Sequence, residues 1–552
     1  MRLVVPLMVA ALALTGCGGQ GGGSLGGAGQ AAGGSDINPQ PRGQVRDGGT
    51  LRLPMDIFPN NFNYNQVDGT GSDNLNIDPA VLPSLFTGTA DGELKPNPDY
   101  LTSVTLTSTA PQVVTYTLNP KATWSDGTPL SWRDFAAYWH SQNGSDPAYE
   151  TSGTSGYSSI SSVTRGVDDR QAVVTFNKPF AEWRNLFGPF APASLSSTPQ
   201  AFNTGWKIGM PVTAGPFTIG SIDPVAKTVT LKRDPKWWGT PAKLDQIIFK
   251  QYDPAALPDA LANNELDYYE IASDINLLRR AQTTPGAVIR DALGQYRTQL
   301  TFNGAAGSPL ADLALRQAVA QGIDRAAITQ RMLGPIEPNA HPAGNHIYSP
   351  GAKEYQDNAG VLPYDPGKAQ QALDSLGWVR QGNTRVKEGK PLSLRVVFGS
   401  AAPTNEDIFR TLQNQLGQIG VTLVAQPLSQ PELFPNISRG NFDLALFSWG
   451  STLSPISSTV EIYGQPLGDV TRENYGRVGT PRIDDLFAKG VAELDDAKRA
   501  DIGNQIDRLI WQQVHSVVLY ARPGAVAERD NIANFGAFGL ADTDYINAGF
   551  VK

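Results

Sequence analysis

Residues 300–328 read LTFNGAAGSPLADLALRQAVAQGIDRAAI, and this stretch decides the fold class. Leu310, Leu313, Val319, Ile323 and Ile328 recur at roughly helical spacing, which puts them on one buried face, and Gly322 predicts a break or bend in the run. A large folded unit therefore starts near residue 296. Downstream, Asp365-Pro366 opens another helix that continues to Gly377, because proline is tolerated in a first turn and glycine supplies a stop. Runs at 393–397 and 421–424 read as strands flanking a helix at 406–416. Phe442 to Phe447 has the apolar content of an inner strand and leads into Ser448-Trp449-Gly450-Ser451-Thr452. Helices are expected at 481–494 and 497–514, with a strand at 517–520.

Upstream the same alternation holds. Strands are expected at 50–53, 113–118, 172–176, 228–231 and 246–250, with helices at 132–140 and 255–264. Trp132, Phe135 and Trp139 share one face of the first of these helices. Short strands interleaved with helices, without a tandem or heptad repeat, make the protein α/β. Residues 55–69, MDIFPNNFNYNQVDG, leave the first strand as a long loop rich in Asn and aromatics.

The amino terminus carries a different message. MRLVVPLMVAALALTGC has Arg2, an apolar run from Leu3 to Leu14, and Leu14-Thr15-Gly16-Cys17. The run is too short for a membrane helix but suits a signal-peptide core, and the last four residues resemble the bacterial lipobox. Residues 1–16 are then the signal peptide and Cys17 the lipidated first residue of the mature chain. Each buried acyl methylene contributes about 0.8 kcal/mol, so several chains hold the protein at a membrane surface. Residues 17–46 are dominated by glycine and read as a flexible tether. GCGGQG at 16–21 matches a dinucleotide glycine pattern, but no strand precedes it and no helix follows, so it has no anion-binding geometry.

At 552 residues the chain exceeds what one core supports, and at least two lobes are expected. Apolar residues make up 40%, enough to fold, while 57 Gly and 41 Pro imply many turns. The balance of 44 basic and 52 acidic residues gives −8, with no concentrated basic surface, which argues against a nucleic-acid partner. A single cysteine excludes an internal disulfide. HExxH and P-loop patterns are missing, so neither catalytic residues nor a cofactor is expected. Of the four histidines, His140, His341, His346 and His515, only His341 and His346 are close in sequence. Pro342 between them speaks against a helical metal pair, and loop hydrogen bonding, surface placement or metal contact remain readings of these two.

Several segments in order are similar to the family 5 extracellular solute-binding proteins of oligopeptide, dipeptide and nickel ABC importers, in an actinobacterial type of lipoprotein. They are YTLNPKATWSDGTPLSWRDF at 116–135, TAGPFTI at 213–219, the stretch quoted first, YDPGKAQQALDSLGW at 364–378 and FDLALFSWG at 442–450. The resemblance implies a two-lobed α/β fold of the type II periplasmic-binding-protein kind, with a hinge and an extra domain inserted in the first lobe. Lobe I would comprise 47–70, 210–295 and 520–552, the inserted domain 71–209, and lobe II 296–519. It also implies a lipid-anchored monomer on the extracytoplasmic face of the cell membrane, passing a peptide or other polar solute to a permease and ATPase complex.

Trp449 is the leading ligand-wall residue, with Ser451 and Thr452 beyond it; aromatic core packing is its other reading. In the first loop Asn61, Asn63 and Asn65 offer polar contacts and Phe58 and Tyr64 aromatic surface, unless the amides close the loop instead. Peptide-binding relatives commonly place an aspartate just beyond the tryptophan for the ligand's amino terminus. Residues 450–455, GSTLSP, contain no acid, so a blocked peptide or neutral oligomer is also open. Trp124-Ser125-Asp126-Gly127 reads as a turn. Arg316, Asp324 and Arg325 read as helix-packing residues, and Trp237 and Trp238 as pins for a loop. An exported hydrolase and a non-transporting scaffold are the rival functions.

Overall fold

The computed structural model describes residues 34–552 apart from 401 and 467–471, so Cys17 and the signal peptide lie outside the described residues. The first strand, Thr50–Met55, runs parallel to Gln246–Gln251, which pairs in turn with Thr228–Arg233 and Phe217–Asp223 in antiparallel fashion. Leu51, Leu53 and Met55 point inward on alternate positions, as a half-buried strand requires. A separate antiparallel sheet holds Leu101–Thr109, Gln112–Leu118, Gln171–Phe176 and Ile160–Arg165 in that order. Helix Trp132–Gln142 begins in a capping box made by Ser131 and Asp134 and buries Phe135 and Tyr138. Both sheets share one hydrophobic core.

A second core surrounds a five-stranded sheet ordered Thr422–Leu428, Ser393–Gly399, Leu444–Gly450, Leu293–Phe302, Ser516–Pro523. The first three strands are mutually parallel and the last two run antiparallel to their neighbours. Helices Leu313–Gln321 and Arg325–Leu333 flank Gly322, which is where the sequence predicts the break. Arg316 and Arg325 serve packing, as read: Arg316 donates to the carbonyls of Leu310, Ala311 and Gln513, and Arg325 lies over the Trp511 ring.

The chain passes twice between the cores. Ala287–Arg290 and Val526–Arg529 belong to a small sheet with Tyr268–Glu270, and each is joined within three residues to a strand of the five-stranded sheet. The two crossings touch: Gly524 N–H donates to Ala292 O at 2.9 Å, and a Cβ on Gly294 would stand 1.8 Å from Arg522 O, so only glycine lets the backbones meet. The result is a two-lobed α/β body joined by a pair of crossing segments.

The glycine-rich reading extends the tether to residue 46, and here the structure differs. From Asp36 the chain lies on the body: Asp36 pairs with Ala537, Val45 is buried and pairs with Val551, and Arg42 donates to Ile546 O. Residues 36–46 include Pro39, Pro41 and Val45 rather than glycine repeats, and the carboxyl-terminal segment offers them strand-edge hydrogen bonds.

Candidate functional site

In α/β sheets ligands gather at the carboxyl ends of parallel strands. Strand Leu444–Gly450 ends where the antiparallel Leu293–Phe302 begins, and Trp449 there stands directly opposite Arg297. Directly opposed residues project from the same face. The hydroxyls of the next pair, Thr298 and Ser448, meet at 3.0 Å on the other face. Trp449 stacks on Tyr475 with ring centroids 5.8 Å apart and planes 7° from parallel, and Phe447 meets it edge-on. The half-buried tryptophan is thus a fixed wall, yet its buried indole N–H has no acceptor. Arg297 is only 4% exposed, and neither its Nε nor its Nη2 has a partner. Its neighbour Tyr463 has a phenol pushed up by burial and held down in part by this guanidinium. A narrow crevice beside the pair is lined by Tyr296, Arg297, Asn345, Tyr348, Ser349 and Ser451.

In the first loop, by contrast, the amides are occupied. Asn61 is fully buried; its Nδ2 donates to Gln66 Oε1 and Asn203 O, and its Oδ1 accepts from Asn63 N–H. Asn63 Nδ2 donates to Phe202 O and its Oδ1 accepts from Asn65 N–H. The loop is so tight that a Cβ on Gly69 would stand 1.9 Å from Asn63 O. Asn61 and Asn63 therefore close the loop, one of the two roles open to them in sequence. Phe58 packs edge-on against Phe62 beneath Lys227. Burial, then Asp78, then Tyr296 push the Tyr64 phenol upward. Both carboxylate oxygens of Asp78 are buried without a partner, and burial drives that acid well above its usual range.

The two sides are tied above this region. Glu182 is 8% exposed and its carboxylate accepts the N–H groups of Ile456 and Ser457, both at 2.9 Å. Those groups open the short helix Ser457–Thr459 and its continuation Val460–Tyr463, an end whose free N–H groups favour an anion. Asn185 Nδ2 donates to Ser454 Oγ at 2.5 Å. Ser451 N–H is bonded to Gln295 O, and the exposed Thr452 hydroxyl to Ser458 Oγ, so both residues fix the segment beyond Trp449.

Behind the sheet edge the second lobe holds a satisfied polar network. His346 Nδ1 and Asp507 Oδ1 are 2.7 Å apart and fully buried, with Asn345, Asn358 and Asn504 bonded around them. His346 thus sits in the core rather than in a surface loop. His515 is held down to about 3, first by burial and then by His346 and Arg316. Among the described residues no three His, Cys, Asp or Glu side chains are grouped as a metal site.

The structure places Ser451 in the crevice lining and Trp449 opposite Arg297 beside it, while the amides of Asn61 and Asn63 are spent on the loop itself and on residues 202 and 203. Sequence reasoning missed Arg297, Glu182 and Asp78. Arg297 had a signal: a charge in the strand run Tyr296-Arg-Thr-Gln-Leu-Thr-Phe302, where alternation turns it toward the same side as Gln299 and Thr301. Glu182 had none, since its partners are 274 and 275 residues away.

Comparison with known proteins gives these features a context. The family described as bacterial extracellular solute-binding proteins, family 5 Middle, matches residues 95–468. The oligopeptide-binding protein OppA of Mycobacterium tuberculosis is 44% identical over 522 residues, 94% of this chain and 87% of that protein. A protein of the same organism named probable monoacyl phosphatidylinositol tetramannoside-binding protein LpqW is 26% identical over 74% of this chain and 69% of its own. Among solved structures, the periplasmic EDTA-binding protein EppA aligns with TM-score 0.85 at 24% identity, over 95% of this chain and all of that one. The oligopeptide-binding protein AppA of Bacillus subtilis, in complex with a nonapeptide, aligns with TM-score 0.73 at 18% identity, over 92% and 100%.

Proposed function

The chain belongs to the bacterial extracellular solute-binding proteins, family 5, and from that premise we propose that it captures a peptide between its lobes and delivers it to a membrane ABC import permease. The observation that supports this reading most is the thinness of the tie across the cleft. Ala181, Glu182 and Asn185 join the two sides by hydrogen bonds that water can replace and Val491 packs against the first core, while the covalent crossings are confined to 290–293 and 523–526. In such a body ligand contacts decide whether the lobes stay shut, and a permease that favours the open form obtains release.

A peptide is the cargo that fits the 44% identical relative and the chemistry of the edge, where flat aromatic surface sits beside unsatisfied donors. No step of bond chemistry is required, and the protein acts as a receptor rather than an enzyme. Lipid on Cys17 holds it on the extracytoplasmic face of the membrane. The test is native mass spectrometry of the purified mature chain with X-ray scattering before and after titration of defined peptides. Stoichiometric peptide binding with a smaller radius of gyration is expected. Turnover of the peptide, or an unchanged shape with nothing bound, overturns the reading.

A further inference from the structure

We propose that Arg297 and Trp449 together form a receptor for a carboxylate of the ligand. The inference rests on the capture reading above and adds the chemical group that is recognised.

Arginine stays charged in a protein, so Arg297 cannot escape burial by losing a proton as a lysine does. Buried charges are paired or hydrogen-bonded because an isolated one is strongly disfavoured. Arg297 is 4% exposed, no acceptor meets its Nε or Nη2, and it enters no salt bridge among the described residues. Those two nitrogens form one edge of the guanidinium. Their N–H bonds run parallel, at the spacing of the two oxygens of a carboxylate, which is the bidentate arrangement. The vacancy in its bonding is thus a shape as well as a charge.

Trp449 supplies a third donor. It is the cross-strand partner of Arg297 on the same face, where opposed Cβ atoms lie about 5 Å apart, and its indole N–H is likewise buried without an acceptor. Stacking on Tyr475 and the edge contact with Phe447 fix the ring. The pair stands at the carboxyl end of Leu444–Gly450, beside the crevice that also contains Ser451 and Tyr348. Across the cleft the surroundings change sign. Tyr296 feels the carboxylates of Glu270, Asp56 and Asp73, offset by Arg522 stacked over its ring.

The carboxylate can be a peptide's terminus or an acidic side chain, and the experiment separates them. Calorimetric titrations use the full mature chain with a neutral pentapeptide acid, its carboxyl-terminal amide, and that amide with an internal Glu. The acid is expected to bind about 10- to 100-fold tighter than the amide. The ratio should fall toward one in Arg297→Met and to an intermediate value in Arg297→Lys, which keeps a point charge without the fork. Tighter binding of the Glu-containing amide than of the plain amide, lost in Arg297→Met, identifies a side-chain source. Because Nε and Nη2 have no partner in the protein, Arg297→Met should melt within a few degrees of the unaltered protein; a clear drop with an unchanged acid-to-amide ratio assigns the arginine a structural role and overturns the proposal. Equal binding of acid and both amides by the unaltered protein overturns it too, leaving peptide capture intact. If no peptide binds but citrate does, with the same dependence on Arg297, the receptor stands and the peptide cargo falls. If citrate also fails to bind, both fall.

Discussion

The first-lobe loop and the second-lobe sheet edge treat polar groups in opposite ways. In the loop, both ends of Asn61 and Asn63 are bonded to the chain that carries them or to residues 202 and 203. At the edge, Arg297 and Trp449 are just as buried in their polar atoms, and those donors meet nothing. Short amides lie close to their own backbone and are readily satisfied by it, so a polar loop is often self-sufficient. A guanidinium at the end of a long stem, set in a strand whose backbone is already paired, is satisfied only by something brought to it. The contrast separates groups that hold the cleft in shape from groups that read what enters it.

The largest effect that would break this division is expected at Asn61. Asn61→Ala removes the partner of one buried donor, Asn63 N–H, and of two acceptors, Gln66 Oε1 and Asn203 O, and should lower unfolding stability by about 3 kcal/mol. Peptide affinity of the folded fraction, by calorimetry well below the melting temperature, should stay within about threefold. A collapse of affinity with unchanged stability would move Asn61 to the reading side.

Glu182 belongs to neither class, because it is satisfied only while the two sides touch. Glu182→Ala leaves the N–H groups of Ile456 and Ser457 without their acceptor and should weaken closure by about 2 kcal/mol, seen as roughly 30-fold weaker ligand binding. The sign of the pH effect follows from its direction. Burial raises this acid above the ordinary value of 4.5, against the pull of Ser457 and Ile456, so the shut form holds its proton more tightly than an open one. Closing therefore takes up a proton. Affinity should rise as pH falls from above the raised value toward 4.5, and the rise should vanish in Glu182→Gln. A slope that persists in the variant assigns the proton to another group.

How much of this was legible in the sequence follows from the same contrast. Helix and strand patterns around Leu310–Ile328 and Phe442–Phe447 are local, set by spacing of apolar residues, and they survive into the second core and the small cluster beside it. Trp449 was visible because an aromatic at the end of an apolar strand has few other places to go. The Asn-rich loop was visible too, but its composition does not distinguish an amide facing a ligand from one facing its own main chain. Arg297 and Glu182 became functional only through pairings at long range: Arg297 lies 152 positions before Trp449 by the strand register, and Glu182 meets an opposite wall hundreds of residues on.

His515 sharpens the satisfied side. It lies behind the sheet edge between Asn474 and Ser516, and burial holds it at about 3. The unfolded chain, with an ordinary value near 6.5, binds the proton first, so this contribution is complete above pH 6.5 and is lost as pH falls toward 3. At pH 5 the loss amounts to about 2 kcal/mol relative to pH 7. Urea unfolding at the two pH values should show that much less change in His515→Gln than in the unaltered protein. Equal changes in both would mean that the imidazole is not neutral in the fold.

The smallest expected effect is the most selective. Trp449→Phe keeps an aromatic ring against Tyr475 and Phe447 and deletes only the indole N–H together with part of the ring's area. Since that N–H has no acceptor in the protein, its loss leaves nothing unsatisfied behind, and stability should change by less than about 1 kcal/mol. A ligand carboxylate that accepts from it loses one charge-assisted bond out of three, so affinity for the peptide acid should drop about 5- to 10-fold while that of the amide barely moves. If acid and amide weaken equally, Trp449 contributes only surface. The edge would then read flatness through the tryptophan and charge through Arg297 alone.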